Sequence, residues 1–143
     1  MLLVPTYVAP SAVEGVGVFA AEDIPEGTMI WQLEQALDRL IPVSEVASQP
    51  ESVREFIERY AYPYPHDTNL LVVELDNGRF MNHSDDPNTN FENPDAGYTR
   101  RAIAAHEEIV CNYAEFDPGF QMLPGRIYKE AVVEPVRQMR TAA

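Results

Sequence analysis

A dense polar stretch at residues 79–90, Arg-Phe-Met-Asn-His-Ser-Asp-Asp-Pro-Asn-Thr-Asn, limits the folds open to this chain. Two apolar residues, Phe80 and Met81, lead directly into it. Its Asn and Asp side chains favour turns because short polar groups hydrogen-bond nearby backbone, and Pro87 pushes Asp86 toward an extended conformation. The pattern predicts a stiff loop entered from a buried strand. Such a loop is either a functional element on a rigid scaffold or a plain solvated connection.

Short apolar runs separated by turns predict a mostly β chain. The 12 Pro and 7 Gly residues favour irregular, turn-rich architecture over long helices. The strongest run, residues 70–75, is rich in Leu and Val and precedes a turn at residues 76–78. Other strands are predicted to begin at Val18 and to span residues 28–31, 99–103 and 108–113, with residues 1–10 as an extended lead-in or edge strand. These elements indicate small, irregular sheets.

Residues 50–61 form the best predicted helix. Its apolar residues recur at i, i+3, i+4 and i+7, namely Val53, Phe56, Ile57 and Tyr60, and they predict a core-facing side. On the charged side, Glu55 and Arg59 are spaced for an i,i+4 ion pair. A shorter helical turn is expected to start at residues 42–44, and a C-terminal helix is expected at residues 126–134.

A weak internal repeat links residues 20–30 with residues 100–109. Three positions correspond, in the pairs Ile24 with Ile103, Gly27 with His106, and Ile30 with Ile109. Each copy is predicted to form a strand, a turn and a strand. His106 is physically tolerable at a glycine-like turn position because His is among the residues enriched at positive φ. Two copies are too few for a solenoid.

The composition restricts the partners that this chain can bind. Its 143 residues suit one domain with a proper core. The net charge of −13, from 23 acidic and 10 basic residues, argues against direct nucleic-acid binding and against an anionic membrane surface. A basic partner, such as a Lys/Arg-rich peptide, fits this field better. Acidity that only aids solubility is an equally open interpretation.

Cysteine usage and hydropathy favour a cytoplasmic location. Cys111 is the single cysteine, so the chain can form neither an internal disulfide nor a Cys-based zinc site. That usage suits a reducing compartment. The N-terminal residues lack the basic and long apolar regions of a signal peptide, and no run approaches the length of a membrane span.

Metal-binding patterns are incomplete in this sequence. The three histidines, His66, His83 and His106, have no partner at zinc-like spacing. A run from Asp86 starts like a calcium-binding loop, but Phe91 stands where that loop needs Gly. The sequence therefore predicts no metal site.

Common catalytic patterns are also missing. No Gly-x-Ser-x-Gly motif is present, and Cys111 lies within a predicted strand, where a buried inert thiol is expected. The pair Gly15 and Gly17 is not followed by the third glycine and helix of a dinucleotide-binding motif. Three pieces remain as a constellation: the Gly-x-Gly pair, the polar loop from Asn82, and Tyr113 at the end of a Glu-rich strand.

Together these pieces resemble the SET domain, the fold of protein lysine methyltransferases that use S-adenosyl-L-methionine. Residues 79–88 are similar to that family's signature, whose core is Asn-His-x-x-x-Pro-Asn, and residues 107–113 resemble its second signature, a Glu-rich strand ending in a catalytic Tyr. The resemblance covers about residues 13–116 and leaves residues 117–143 as a C-terminal segment of a single domain spanning 1–143. It implies a β-clip-like fold of small sheets with one inserted helix and a pseudoknot.

The resemblance implies a cofactor-binding role for five residues. Backbone around Gly15, Val16 and Gly17 is expected to lie against the methionine part of S-adenosyl-L-methionine. Asn82 is expected to hydrogen-bond the cofactor through its amide. His83 is expected to meet the adenine mainly through its backbone.

The resemblance assigns the catalytic role to Tyr113, whose hydroxyl is expected beside the transferring methyl group. Pro87 and Asn88 are expected to hold the loop under which the Tyr113 strand passes in the pseudoknot. Methyl transfer to lysine needs a neutral amine and close orientation, which an aromatic channel with a hydroxyl and backbone carbonyls supplies.

Several features leave the substrate channel open to interpretation. Tyr62 and Tyr64 either line a lysine channel or anchor loops, and Phe116 either covers the adenine or lines the channel. The sequence departs from the family pattern at His106, where a Gly is common, and at Asp85, where many members have Cys. It also lacks Cys-rich zinc segments. Residues 114–143, or a second subunit in a homodimer, are therefore expected to complete the channel.

Three functions follow as hypotheses. The first is a protein-lysine N-methyltransferase that acts on a protein or peptide with an accessible lysine. The second is a non-catalytic interaction module on the same fold, and the third is methylation of a small amine. Taken singly, Tyr113 could merely end a core strand, and Asn82 could be a simple turn former. The order of the motifs favours the methyltransferase.

Overall fold

A computed structural model describes residues 1–117 and 119–120. The described chain contains ten short β-strands, two α-helices and two 3₁₀ helices, arranged in three small sheets. This architecture confirms the mostly β fold of small sheets that the sequence predicts. The helix predicted at residues 126–134 lies outside the described residues, as does most of the segment 117–143.

The elements follow one another closely along the chain. The strands are β1 (Thr6–Pro10), β2 (Val16–Ala20), β3 (Met29–Gln32), β4 (Arg39–Pro42), β5 (Tyr62–Pro63), β6 (Leu70–Val73), β7 (Asn82–His83), β8 (Thr89–Asn90), β9 (Ala96–Thr99) and β10 (Glu108–Cys111). The helices are α1 (Val43–Val46) and α2 (Glu51–Tyr60), and 3₁₀ helices span Asn77–Phe80 and Tyr113–Glu115. The sheet orders are β1-β2-β10-β7, β3-β9-β8 and β4-β6-β5.

The main core contains residues from the first two sheets and the turns between them. Its most buried side chains are branched aliphatics, because these pack well on pleated surfaces. Each fully buried isoleucine contributes roughly 1.5–3 kcal/mol of transfer free energy. The cluster comprises Val18, Ala20, Ile24, Ile30, Trp31, Met81, Phe91, Ile103, Ile109 and Cys111.

The strand predicted at residues 99–103 is wrong in its extent. Strand β9 ends at Thr99, and Ile103 forms only an isolated bridge with Ile24. The chain turns at Arg100 because its backbone N–H donates to the Asn88 carbonyl, and its side chain donates to a neighbouring carbonyl of β8. Contacts with the polar loop therefore end the strand earlier than local propensity predicts.

The strand predicted at residues 108–113 ends two residues early, at Cys111. The Asn112 side chain accepts a hydrogen bond from the backbone N–H of Ala114 and starts the 3₁₀ helix Tyr113–Glu115. Short polar side chains compete with sheet hydrogen bonds in this way. Tyr113 therefore lies just beyond the strand and not within it.

The internal repeat corresponds to paired hydrogen bonds in the structure. Ile24 and Ile103 exchange reciprocal backbone bonds of 2.8 and 2.9 Å. Gly27 has a φ of 74° and donates to the Thr99 carbonyl. His106 has a φ of 69° and donates in the same way to the Ala20 carbonyl. The tolerance of positive φ predicted for His106 is confirmed.

Helix α2 matches its predicted range but not its predicted burial. Only Ile57 is buried, whereas Val53 and Phe56 are 38% and 45% exposed. The predicted core-facing side is therefore wrong for most of its length, because α2 contacts the domain along a narrow stripe. Arg59 forms an ion pair with Glu14 at 3.4 Å in place of the predicted pair with Glu55.

The polar loop encloses strand β10, as a pseudoknot requires. On one edge β10 pairs antiparallel with β2, and on the other it pairs in parallel with the two-residue strand β7. Later in the polar loop, the Asn88 side chain bonds to the backbone of β10 as a neighbouring strand would. Its amide donates to the Glu108 carbonyl at 2.8 Å, and its Oδ1 accepts from the Val110 N–H at 2.9 Å. Asn88 is 1% exposed and acts as a side-chain extension of the sheet.

Replacing Asn88 with Ala is expected to destabilise the fold by about 2–5 kcal/mol, because two buried backbone groups lose their partners. Chemical denaturation measures this change. Asn90→Ala is the matched control, because the Asn90 side chain bonds only to neighbouring Glu92 among the described residues. A loss for Asn88→Ala no larger than that of the control would contradict the structural role of the amide.

Candidate functional site

Two hydrogen bonds join Tyr113 to the start of the polar loop. The Tyr113 hydroxyl donates to the backbone oxygen of Met81 at 2.6 Å. Its backbone N–H donates to Nδ1 of His83 at 3.1 Å. The rings of His83 and Tyr113 also contact each other, with centroids 5.2 Å apart. These contacts fix the hydroxyl beside the residue that precedes β7.

A cavity of about 170 Å³, here called the aromatic cavity, includes Tyr113 in its wall. Its rings come from distant parts of the sequence and are Trp31, Tyr60, Tyr62, Phe91, Tyr113, Phe116 and Phe120. The Phe116 ring lies 5.1 Å from Tyr62 and 5.7 Å from Tyr113 between centroids. The structure therefore brings two predicted channel residues, Tyr62 and Phe116, together with Tyr113.

A smaller cavity of about 70 Å³, here called the loop cavity, also includes Tyr113 in its wall. It lies against the Gly-x-Gly segment and the 3₁₀ helix before β7, and its lining includes Glu14, Val16, Arg79, Phe80 and Asn82. Met81 and Tyr113 are among the residues that line both cavities. The Tyr113–Met81 hydrogen bond therefore lies where the aromatic cavity and the loop cavity adjoin.

Asn82 ties the Gly-x-Gly segment to β10. Its Nδ2 lies 3.1 Å from the Glu14 carbonyl, 3.0 Å from the Val16 carbonyl and 2.9 Å from Oε1 of Glu108. Three acceptors around one nitrogen fix the orientation of the amide. Its Oδ1 accepts no hydrogen bond from the residues that the structure describes.

The two glycines of the segment have different physical roles. Gly15 has a φ of 48°, which L side chains rarely adopt. At Gly17 the constraint is space, because an added Cβ would lie 2.0 Å from Oε1 of Glu108 and 3.1 Å from Nδ2 of Asn82. Val16 between them is 43% exposed and lines the loop cavity.

Glu14 and Arg59 place opposite charges at the loop cavity. Their side chains form an ion pair at 3.4 Å. Burial raises the pKa of the Glu14 carboxyl above its usual value, and the neighbouring Arg59 guanidinium partly offsets that rise. This pair has no local signal in the sequence, because the residues are 45 positions apart.

Two predicted site residues lie away from the cavities. Tyr64 is outside the lining of both among the described residues, and its ring contacts His66 with centroids 5.3 Å apart. His83 is buried, pairs through its backbone with Cys111, and directs its Nε2 toward Asp85 at 3.1 Å. The geometry of Tyr64 therefore fits the loop-anchor alternative, and that of His83 fits a residue that orients Tyr113.

Sequence reasoning missed one buried carboxyl at the wall of the aromatic cavity. Glu74 directly follows β6 and is 8% exposed. Its Oε1 accepts a hydrogen bond of 3.1 Å from the Tyr62 hydroxyl. Burial raises its pKa to about 7, and the charges of Asp76 and Asp38 add to the rise. The available signal was a lone acidic residue at the end of the apolar run 70–75.

The same burial affects the neighbouring groups. The pKa of the Tyr62 hydroxyl is raised well above its usual value, mainly by burial and next by the charge of the nearby Glu74 carboxyl. Burial likewise raises the pKa of the Cys111 thiol well above its usual value, which fits the inert thiol expected from the sequence. Tyr62 and Cys111 are therefore uncharged near neutral pH.

No group of three His, Cys, Asp or Glu side chains among residues 1–117 and 119–120 is arranged to hold a metal ion. Within the same part of the chain, helices long and apolar enough to cross a membrane are absent.

Comparison with protein families assigns the chain. The family model of the SET domain matches residues 15–114, more than two thirds of the sequence. The chain belongs to the SET domain family. The match includes the Gly-x-Gly segment, the polar loop and Tyr113. Comparison with curated proteins finds no match.

Solved structures share the SET fold. A putative histone methyltransferase of Plasmodium falciparum aligns with a TM-score of 0.56 at 24% identity, covering 78% of this chain and 95% of its own. Chaetomium thermophilum Polycomb Repressive Complex 2 in an apo, autoinhibited state aligns with a TM-score of 0.62 at 22% identity, covering 94% of this chain and 17% of that chain. A humanized mutant of that complex bound to an inhibitor gives 0.59 at 20%, covering 91% and 20%. At these identities the likeness concerns the fold.

Replacing Glu74 with Gln is expected to change how stability depends on pH. The folded pKa of about 7 exceeds the usual 4.5, so unfolding releases a proton between these pH values. The carboxyl therefore contributes stability below pH 4.5 that is lost as pH rises through 7. Relative to wild type, Glu74→Gln should gain stability from pH 4.5 to 8, on the order of 1–3 kcal/mol.

Denaturant titrations of both proteins at these pH values measure the difference. Glu58→Gln, which changes an exposed carboxylate of α2, is the control and should follow the wild-type pH dependence. A constant difference between Glu74→Gln and wild type at every pH would show that Glu74 has no raised pKa in the folded state.

Proposed function

We propose that this SET domain protein is an S-adenosyl-L-methionine-dependent protein-lysine N-methyltransferase. The observation that carries the proposal is the hydrogen bond between the Tyr113 hydroxyl and the Met81 carbonyl where the aromatic and loop cavities adjoin. A group-transfer enzyme needs a donor site and an acceptor site that meet at one point. Two cavities that share Met81 and Tyr113 in their walls support such a pair of sites.

The residues of the loop cavity fit the cofactor. When bound, S-adenosyl-L-methionine supplies an electrophilic methyl group on a sulfonium centre. The segment Gly15, Val16 and Gly17, of which Val16 lines the loop cavity, would hold its methionine part. The His83 backbone, which lies outside the lining of that cavity, would meet the adenine. Asn82 directs its Nδ2 into the protein, so its Oδ1 is the atom that would accept from the cofactor.

Tyr113 would orient the reaction. A hydroxyl that donates its single proton to Met81 can act toward a third group only as an acceptor. An acceptor at this position favours the positively charged methyl group and the N–H groups of an incoming amine. Orientation of this kind is worth up to roughly 7–11 kcal/mol in well-aligned reactions.

The aromatic cavity suits a lysine side chain. Aromatic faces attract ammonium groups and pack against methylene chains. The net charge of −13 would draw in a basic protein or peptide, and a structural neighbour is described as a putative histone methyltransferase. We therefore propose a Lys-rich basic protein as substrate and a cytoplasmic site of action. Completion of the channel by residues 114–143 or by a second subunit stays a prediction.

Replacing Tyr113 with Phe is expected to lower the methyl-transfer rate at least 100-fold while leaving cofactor affinity nearly unchanged. The hydroxyl acts mainly in the transition state, and its loss therefore lowers kcat more than binding. Transfer of labelled methyl groups to core histones and to poly-L-lysine measures the rate. Tyr98→Phe, which removes a hydroxyl outside both cavities, is the control. A wild-type rate for Tyr113→Phe would remove the hydroxyl from the mechanism.

Replacing Asn82 with Ala is expected to weaken S-adenosyl-L-methionine binding roughly 5- to 150-fold, since 1–3 kcal/mol is the usual cost of an unpaired partner. Calorimetric titration with the cofactor and with its demethylated product measures this. Asn77→Ala is the control because Asn77 lies outside the lining of both cavities. Equal affinities for wild type and Asn82→Ala would overturn the placement, and cofactor binding without any methyl transfer would favour the interaction module.

A further inference from the structure

Glu74 is an unusual group for the wall of an aromatic cavity. Its Oε1 accepts from the Tyr62 hydroxyl, but its buried Oε2 has no hydrogen-bond partner among the described residues. The Oε2 atom lies against Gly78, where an added Cβ would be only 1.8 Å away. A buried oxygen without a donor is costly, so its retention calls for a physical explanation.

The groups around Glu74 place the pKa of its carboxyl near neutral pH. Tyr62 faces it from β5, Cys111 from β10, Asp38 from the segment before β4, Asp76 from the following turn, and the Met1 amine from the first residue. Burial and the two aspartates favour the protonated carboxyl, whereas the Met1 amine and the Tyr62 hydroxyl favour the carboxylate. The balance puts the pKa of Glu74 at about 7, where a carboxylate can take up and release a proton.

Glu74 and its hydrogen-bond partner Tyr62 belong to the aromatic cavity, where Tyr113 is proposed to act. Glu74, Tyr62 and Tyr113 line the same cavity. The Phe116 ring contacts both tyrosine rings, with centroids 5.1 Å from Tyr62 and 5.7 Å from Tyr113. A lysine side chain in this cavity would contact a wall that contains both tyrosines.

Lysine methylation requires a group that accepts a proton from the substrate ammonium, and Glu74 and Tyr62 together can provide it. A free lysine has a pKa near ~10.4 and enters as an ammonium, which has no lone pair for attack. Because Tyr113 donates its proton to Met81, and because Cys111 is an uncharged buried thiol, neither offers an anionic base at the cavity wall. Two other carboxyls line this cavity, but Glu58 is exposed and Asp117 is half-buried, so Glu74 is the buried carboxyl of its wall in the described chain.

We propose that Glu74 accepts, through the Tyr62 hydroxyl, the proton that the substrate ammonium loses before methyl transfer. The inference rests on the proposed methyltransferase function. One ammonium N–H bond breaks as its proton passes to the Tyr62 oxygen, and the original Tyr62 proton passes to Oε1 of Glu74. The freed amine lone pair then forms the new N–C bond as the C–S bond breaks, with the electron pair leaving on sulfur. Glu74 returns its proton to solvent after the product departs.

The pH dependence of methyl transfer tests the inference. Single-turnover rates with core histones and with poly-L-lysine are measured from pH 6 to 10 at saturating S-adenosyl-L-methionine. Glu74→Gln should be slower than wild type by about 100-fold at pH 7.5. This deficit should shrink steadily toward pH 10, where solvent hydroxide deprotonates the lysine, while the substrate KM stays nearly constant. Tyr62→Phe, which keeps the carboxyl but removes the relay, should show the same profile.

Asp38→Asn is the matched control, because Asp38 is a buried acid of the same cluster that lies outside the lining of the aromatic cavity. It should keep the wild-type profile, with the acidic limb moved slightly to lower pH, since one negative charge near Glu74 is removed. An equal loss of rate for Glu74→Gln at every pH would mean a purely structural role and would overturn the inference. A wild-type profile for Glu74→Gln would overturn it as well.

Circular dichroism and thermal melting check that each variant is folded. If Glu74→Gln does not fold, Gly78→Ala replaces it, because the new Cβ displaces the carboxyl without changing any titrating group. The same loss at pH 7.5 with recovery at pH 10 supports the proton relay, and an unchanged profile overturns it. A wild-type protein that binds cofactor but methylates neither substrate would instead overturn the proposed function, and with it this inference.

Discussion

The amide of Asn88 is the interaction on which the site depends. Strand β10 has regular partners for only a few residues on each edge, and the buried Asn88 side chain adds hydrogen bonds to the backbone of Glu108 and Val110. This arrangement places the end of β10 beneath the polar loop. Tyr113 lies two residues after the end of β10, so the passage of β10 beneath the loop also positions its hydroxyl. The Gly-x-Gly segment is joined to this unit through Asn82 and Glu108.

Two halves of the chain exchange strands across the core. Strand β2 of the first half pairs with β10 of the second, and β3 of the first half pairs with β9 of the second. Gly27 and His106, at the equivalent turns, both have positive φ. The backbone N–H of each donates to a carbonyl in the opposite half. Strand β3 has its strand partner, β9, in the other half, and one edge of β2 pairs with β10 there. These two pairings join segments that are far apart in the sequence, which raises the contact order of the fold.

The sequence predicted the features whose information is local. The Asx-rich loop, the turn at His106 and the position of α2 follow from residue types and spacing. Arg59 pairing with Glu14, and the exposure of Phe56, were not predictable, since both depend on where α2 lies relative to segments far away in the chain. The order of the motifs assigned the family, and the roles of the cofactor-binding residues rest on that assignment. Tyr62 and Glu74 meet only because β5 and β6 pair.

Charge acts on two length scales in this protein. The net charge of −13 produces a long-range field that salt screens and that attracts basic partners in general. Glu74 is different because burial protects it from screening and raises its pKa to about 7. A fully ionised buried acid would bind an ammonium and keep it charged, whereas a fully neutral acid could not accept its proton. An intermediate pKa permits both uptake and release, and the fold sustains it by holding Glu74 between Tyr62 and Gly78.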